Sequence, residues 1–186
     1  MIKIQELLPT GDKALHVAAR VGNLNLCKII IENIDCKNPA DFTEGYTPLH
    51  WAAEKGSLSI AKFIMENIKE KTPRDHEGNT TFHSAALRGH LGVCMFIMQN
   101  TEEKNPRNAK GDVPLHLAAK SGHSNICQYI IDNGGDKIPV NDSGCTPLHL
   151  GALYGHLNVC KLIMEHVKNK NPKIDDGGDT TSYGCL

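Results

Sequence analysis

Histidine and cysteine are the residues of this chain that could do chemistry, and both recur at a fixed spacing. The 186 residues include ten histidines and seven cysteines. Imidazole nitrogens and thiolates can bind metals or act as acid, base or nucleophile. Five of the histidines lie 33 or 34 residues apart: His16, His50, His83, His116 and His149. Because each belongs to a copy of one short motif, the pattern favours a repeated hydrogen-bonding role that links neighbouring repeats over acid–base or metal chemistry.

The cysteines follow the same period. Cys27, Cys94, Cys127 and Cys160 share one position of the repeat, which Ala61 fills in the second copy. Each lies in an apolar helical pattern, so the sequence predicts small buried side chains. No Cys-x-x-Cys pair is present, which disfavours a zinc site, and structural disulfides are disfavoured as well. The predicted exposed thiols lie in loops or the tail: Cys36, Cys145 and Cys185.

No motif of a catalytic or phosphate-binding site occurs in the chain. The nucleophile elbow, the phosphate-binding loop, the dinucleotide fingerprint and the zincin helix are all missing. Glycine pairs such as Gly134-Gly135 do not open a strand-to-helix turn. The sequence therefore predicts a protein that is not an enzyme, with no catalytic residue, cofactor or metal ligand.

The repeated motif predicts the start of a helix. Its clearest copy runs from Thr47 to Ala53, and it returns at 113–119 and 146–152, with weaker copies at 14–19 and 80–86. Thr47 is a favoured N-cap, and proline suits the first helical position because its missing N–H is not needed there. His50 stands three residues after the cap and can bond back to it, as in a capping box. Gly56 is placed to end the helix in the left-handed conformation.

A second helix and a loop complete each predicted unit. The second helix keeps its polar residues on one face, and a polar loop with proline and glycine follows it. The period predicts an all-α solenoid of stacked antiparallel helix pairs with projecting β-hairpin-like loops. The predicted repeats cover residues 1–39, 40–73, 74–106, 107–139 and 140–172, which together form one domain. Residues 173–186 are interpreted as a truncated sixth repeat or a C-terminal tail.

Two departures from the motif predict local losses of stability. Val113 replaces the capping threonine of the fourth repeat, which costs about 1 kcal/mol. Gly151 replaces an alanine within the first helix of the fifth repeat, which costs a further 1 kcal/mol or so. The fifth repeat is therefore expected to be less stable than the second.

The turn, the Thr-Pro-Leu-His-x-Ala-Ala motif, the Gly-His pair and the second apolar helix together resemble the ankyrin repeat. The resemblance covers about residues 10 to 172 in five copies, with a partial sixth. It implies paired helices stacked into a curved solenoid that binds another protein along its concave face, and no catalytic residues. The family is also a substrate of asparaginyl hydroxylation near the position of Asn38, Asn105 and Asn171, but plain turn asparagines are favoured here.

Composition restricts the partners and the location. Lys plus Arg total 20 and Asp plus Glu total 21, so the formal net charge is −1. A nucleic-acid or anionic-membrane binder would need a basic excess. No apolar run approaches the length of a membrane span, and the first residues lack the apolar core of a secretory signal. The sequence predicts an intracellular, cytoplasmic monomer without membrane insertion, and leaves a nuclear location open.

The predicted partner-binding residues project from the loop tips and the first helices. Aromatic residues and arginine carry most hot-spot energy in interfaces, so Tyr46, Arg88 and Tyr154 stand out in this set. The set is Thr43, Glu44, Tyr46, Trp51, Lys55, His76, Asn79, Leu87, Arg88, Lys110, Asp112, Lys120, Asp142, Leu153 and Tyr154. The predicted function is a protein–protein interaction module or scaffold. The alternative is a targeting or regulatory arm of a larger enzyme, channel or effector, and a structural spacer without a groove partner is a third.

Overall fold

The computed structural model describes residues 14–134 and 138–168, and within them the chain forms ten α-helices. The helices are short because a capping residue starts many of them and a glycine or an extended residue ends them. Their bounds are α1 Ala14–Arg20, α2 Leu24–Glu32, α3 Pro48–Glu54, α4 Leu58–Asn67, α5 Thr81–Arg88, α6 Leu91–Asn100, α7 Pro114–Lys120, α8 Ser124–Asn133, α9 Pro147–Leu153 and α10 Leu157–Lys168. The predicted tail at 173–186 lies outside the described residues.

The helices form two layers of the predicted all-α solenoid. The odd-numbered helices pack side by side in chain order, and the even-numbered helices do the same behind them. Each odd helix also packs against the even helix that follows it. The alanines of the motif, such as Ala52 and Ala53, are fully buried between the layers. Small side chains there let neighbouring helices approach closely, so the core is continuous along the stack.

The loops between repeats have the hydrogen bonds of short β-hairpins. The backbone N–H of Asp75 donates to Asn79 O at 2.9 Å, and Arg74 and Thr80 form an antiparallel bridge. Neighbouring hairpins are also joined, because His76 N donates to Glu44 O at 2.8 Å. No longer strand occurs in the ranges described. The projecting hairpin-like loops predicted from the turn residues are therefore present and tied to one another.

The helix starts and ends follow the predicted capping. The backbone N–H of Thr47 donates to His50 Nδ1 at 3.2 Å, and His50 N donates back to Thr47 Oγ1 at 3.4 Å. At the other end, Gly56 has φ of 68°, and Gly89 has φ of 84°. A side chain other than glycine is disfavoured at such angles, so these glycines let the chain turn directly into the second helix.

The cysteine predictions are confirmed at four positions and only partly met at Cys160, and they are wrong at Cys145, where neither an exposed thiol nor the absence of a disulfide is found. Cys27, Cys94 and Cys127 are buried and free, whereas Cys160 is half-buried. Burial raises the pKa of the Cys94 and Cys127 thiols to about 12, so they stay protonated. Cys36 is exposed as predicted, but Cys145 is buried and disulfide-bonded. It follows the hairpin glycine directly, where the side chain turns under the loop rather than into solvent.

Candidate protein-binding surface

The motif histidines connect each repeat to the hairpin of the next. His50 Nε2 donates to Asn79 O at 3.1 Å, and His83 Nε2 donates to Asp112 O at 3.0 Å. His16 and His116 make the same bond to Tyr46 O and Cys145 O. These histidines therefore link neighbouring repeats by hydrogen bonds, as predicted.

The histidines that follow the helix-ending glycines connect the repeats in the opposite direction. His90 Nε2 donates to Glu54 O at 2.8 Å, and His123 Nε2 donates to Leu87 O at 3.1 Å. His156 does the same to Lys120 O at 2.9 Å. These bonds bring the C-terminal ends of successive first helices into line, so residues at those ends form one continuous surface.

Burial keeps three of the motif histidines, His50, His83 and His116, neutral by lowering their pKa values. It lowers the pKa of His83 from the ordinary 6.5 to about 4, against a smaller opposing effect of the hydrogen bond to Asp112. The pKa values of His50 and His116 are lowered for the same reason. A neutral ring with its proton on Nε2 can donate to a carbonyl while Nδ1 accepts from the cap N–H. The ring has both roles only in this state.

The aligned helix ends form what we call the inner strip, which consists of Arg20, Trp51, Glu54, Lys55, Leu87, Arg88, Lys120, Leu153 and Tyr154. Its members contact one another across repeat boundaries. The Arg20 guanidinium lies 5.3 Å from the Trp51 ring centroid, and Arg88 pairs with Glu54 at 3.0 Å. The Lys120 ammonium lies 5.3 Å from the Tyr154 ring centroid. Side-chain contacts within the strip thus cross three of the four boundaries between repeats.

Tyr46 lies beside the inner strip and forms an aromatic cluster with Trp51. Their ring centroids are 5.3 Å apart at an interplanar angle of 50°, and Tyr46 lies 5.2 Å from the His50 ring. Burial raises the pKa of Tyr46 to about 12, with a further rise from the charge of Glu54. Both aromatic side chains are half-buried. Tyr46 therefore packs against its neighbours and is also partly accessible from the surface.

The described residues line two large grooves in addition to the inner strip. One of about 500 Å³ lies among the loops after the second helices. The other, of about 420 Å³, lies at the hairpins. The second groove brings together several of the predicted residues. It is lined by Thr43, Glu44, Tyr46, Asp75, His76, Glu77, Asn79 and Leu87. It therefore runs from the tips of two hairpins to the first helix of the third repeat. We take this groove and the inner strip together as the candidate surface.

Comparison with known proteins agrees with this architecture. The family described as Ankyrin repeats (3 copies) matches residues 2–75, 67–138 and 82–176. The chain belongs to the ankyrin repeat family. A search of curated proteins found no significant match. Ankyrin repeats are generally protein–protein interaction modules, and they are typically not enzymes.

The remaining predicted residues of the ankyrin stack differ in accessibility. Lys110 and Asp142 are exposed at hairpin tips. Asp112 is only 9% exposed, and its carboxylate accepts from Asn141 Nδ2 at 2.7 Å. Because this side chain joins two hairpins, we leave Asp112 out of the candidate surface.

One exposed aromatic residue of the hairpin tips was missed. Phe42 is 72% exposed in the hairpin of the second ankyrin repeat. The signal was present, since this is the loop with one residue more than its counterparts and phenylalanine is unusual at a turn. Phe42 directly precedes Thr43, which lines the groove at the hairpins.

The described part of the chain shows two further absences. Among its residues, no group of three or more His, Cys, Asp or Glu side chains is placed to hold a metal ion. Within the same ranges, no helix is both long and apolar enough to cross a membrane.

The asparagines before the hairpin prolines have different surroundings. Asn38 Oδ1 accepts from Leu49 N at 3.1 Å, which is a structural role in the turn. Asn105 Oδ1 is buried and has no hydrogen-bond partner among the described residues. Asn171 lies outside them. The preference for plain turn asparagines stays a prediction.

Proposed function

We propose that this ankyrin stack is a non-enzymatic protein-interaction module that binds a partner protein along its concave face. The observation that carries the proposal is the exposure of two apolar side chains at one end of the inner strip. Leu153 is 58% exposed and Tyr154 is 49% exposed, side by side at the end of α9. Large exposed apolar groups that adjoin a continuous surface are typical of interaction sites.

The surface offers two anchor regions separated by charged residues. One is the Tyr46–Trp51 cluster in the second repeat, and the other is Leu153 with Tyr154 in the fifth. Aromatic residues in partly desolvated positions supply most of the binding energy of interfaces. The histidine bonds fix the spacing between the two regions in advance. A preformed surface costs little ordering entropy when a partner binds.

Affinity capture with quantitative mass spectrometry tests the proposal. The double substitution Leu153→Ala with Tyr154→Ala should remove captured proteins that bind the wild-type stack directly. A matched control is Leu26→Ala with Ile29→Ala, which removes two exposed apolar side chains of α2. If both double variants capture the same proteins at wild-type abundance, the concave face is not the binding surface.

A second test uses Tyr46→Ala with Tyr154→Ala. We expect weaker partner binding with unchanged helical content by circular dichroism. Because Tyr46 packs against His50 and Trp51, thermal unfolding should accompany this test. A variant that unfolds early reports on packing, so only affinity measured well below its melting temperature counts.

The other predictions belong to the same proposal. We propose a monomer in the cytoplasm, with a nuclear location open, and sedimentation equilibrium tests the monomeric state. The alternative of a regulatory or targeting arm of a larger enzyme, channel or effector would use the same surface. Transcripts that encode a further domain would favour that alternative.

A further inference from the structure

Cations recur along the inner strip, one in each of the first four repeats. They are Arg20 at the end of α1, Lys55 after α3, Arg88 at the end of α5 and Lys120 at the end of α7. All four are exposed. The one carboxylate on the strip is Glu54, whose side chain is 13% exposed and paired with Arg88. Glu54 neutralises Arg88, so Lys55 and Lys120 are the strip cations without a carboxylate partner among the described residues, in a chain whose formal net charge is −1.

Aromatic rings hold three of these cations in place. Arg20 and Lys55 lie 5.3 and 6.0 Å from the centroid of the Trp51 ring, and Lys120 lies 5.3 Å from that of Tyr154. Attraction between a cation and a ring face restricts the long side chain while its charge stays in water. The cations are therefore partly ordered before any ligand binds, which lowers the entropy cost of pairing with an anion.

The hairpin edge of the candidate surface, opposite the inner strip, has negative charge in the second and third repeats. Glu44 and Glu77 are exposed at the hairpin tips that border the groove. Glu77 has a loose ion pair with Lys110 at 3.7 Å. A uniformly anionic ligand such as a nucleic acid would be repelled at this edge. Separated charge of this kind fits a protein segment whose acidic side faces the inner strip.

We propose that the inner strip binds an acidic segment of a partner protein, whose carboxylates pair with Lys55 and Lys120 and whose apolar end contacts Leu153 and Tyr154. The spacing supports this chemistry. Packed helices lie about 8–10 Å apart, and a helix advances about 10 Å in seven residues. A helix with one acidic residue per heptad can therefore meet one repeat after another. This inference rests on the proposed function and names the class of partner.

The experiment measures binding of a labelled, alanine-based helical peptide of about three heptads with one glutamate per heptad, by fluorescence anisotropy at low salt. Wild type should bind this peptide, and Lys55→Glu with Lys120→Glu should weaken binding about tenfold or more. The matched control is Lys28→Glu with Lys62→Glu. This control makes the same change in charge and also removes cation–ring contacts, to Phe63 and Phe96 at 5.9 and 5.6 Å. The substituted lysines lie on second helices and not on the inner strip. The control should change the affinity less than about twofold.

Three results would overturn the inference. They are no binding of the glutamate peptide by wild type, equal weakening by the two double variants, or tighter binding of single-stranded DNA or of a lysine-substituted peptide. Circular dichroism of both variants verifies that they are folded. If cellular partners are lost with Leu153→Ala and Tyr154→Ala but retained with Lys55→Glu and Lys120→Glu, the proposed function stands and the acidic class is wrong. If neither pair alters capture, the concave-face proposal itself fails.

Discussion

The Nε2 atom of His83 lies 3.0 Å from the carbonyl oxygen of Asp112, 29 residues further along the chain. The other ring nitrogen, Nδ1, accepts from Thr80 N at 3.1 Å. One buried side chain thus caps its own helix and holds the next hairpin. The ring does both only when it is neutral, which makes the stability of the stack depend on pH.

We expect acidification from about pH 6.5 to pH 4 to destabilise the stack. The pKa of His83 falls from 6.5 in the unfolded chain to about 4 in the folded one because the ring is buried. Between these values the unfolded chain binds more protons, so stability is fully present above pH 6.5 and is lost as pH falls. The loss from His83 approaches about 1.4 kcal/mol per pH unit. The lowered pKa values of His50 and His116 act in the same direction.

Urea unfolding at several pH values measures this effect. The free energy of unfolding should fall from pH 7 to pH 4 in wild type, and a variant without the His83 ring should show a shallower dependence. A free energy that is constant over this range would contradict the neutral-histidine account.

His83→Ala should destabilise the stack by about 3 kcal/mol. The substitution leaves two buried backbone groups, Thr80 N–H and Asp112 C=O, without their partner. His76→Ala is the control, because His76 lies at an exposed hairpin tip and its side chain bonds only to Thr43 O, at 3.2 Å. That change should cost about 0.5 kcal/mol or less. Similar urea midpoints for the two variants would show that the buried bond contributes little.

Val113→Thr should stabilise the fourth repeat by about 0.5–1 kcal/mol. Thr47, Thr80 and Thr146 each place Oγ1 within 3.0 Å of the Nδ1 of their motif histidine. At the fourth repeat only the backbone of Val113 makes this contact, at 3.1 Å. Thr80→Val is the reverse control and should lose a similar amount. Unfolding free energies from urea titration decide the point, and a loss in both variants would disprove the capping explanation.

Gly151→Ala should raise the stability of the fifth repeat by up to about 1 kcal/mol through helix propensity. A Cβ there would lie 3.2 Å from Val159 Cγ1, so the neighbour must shift slightly. The third repeat indicates that it can, because the equivalent position is Ala85, with Val93 and a cysteine at the positions facing it. Hydrogen exchange in α9 and α10 should slow in the variant. Faster exchange would mean that the close contact with Val159 outweighs the gain in helix propensity. Ala85→Gly is the matched control, and it should destabilise the third repeat by a similar amount.

The helical repeat could be predicted because the sequence signals for it are local. The period, the Thr47 cap, the His50 capping box and the glycine that ends each helix all lie within a few residues of the structure they produce. Even the role of the motif histidines followed from their recurrence. Their acceptors did not, because the carbonyl of Asn79 or Asp112 is brought to the ring only when two repeats stack.

The exposure of the loop residues was predicted less well. Asp112 was predicted to be accessible, but the packing of two hairpins buries it. Cys145 was predicted to be exposed, but its side chain is buried and disulfide-bonded. Phe42 is absent from the predicted set, yet it is 72% exposed. Burial in a loop depends on what the neighbouring loop places against it, and a sequence period does not contain that information.

The repeat, its helices and its caps can be read from the residues alone, since they depend on backbone preferences within one unit of 33 residues. Which side chains meet depends on how the repeats stack. Arg20 and Lys55 occupy different positions of the repeat, yet both lie against Trp51. The charged strip that follows from such contacts exists because hydrogen bonds between repeats align the helix ends, and no single repeat contains it.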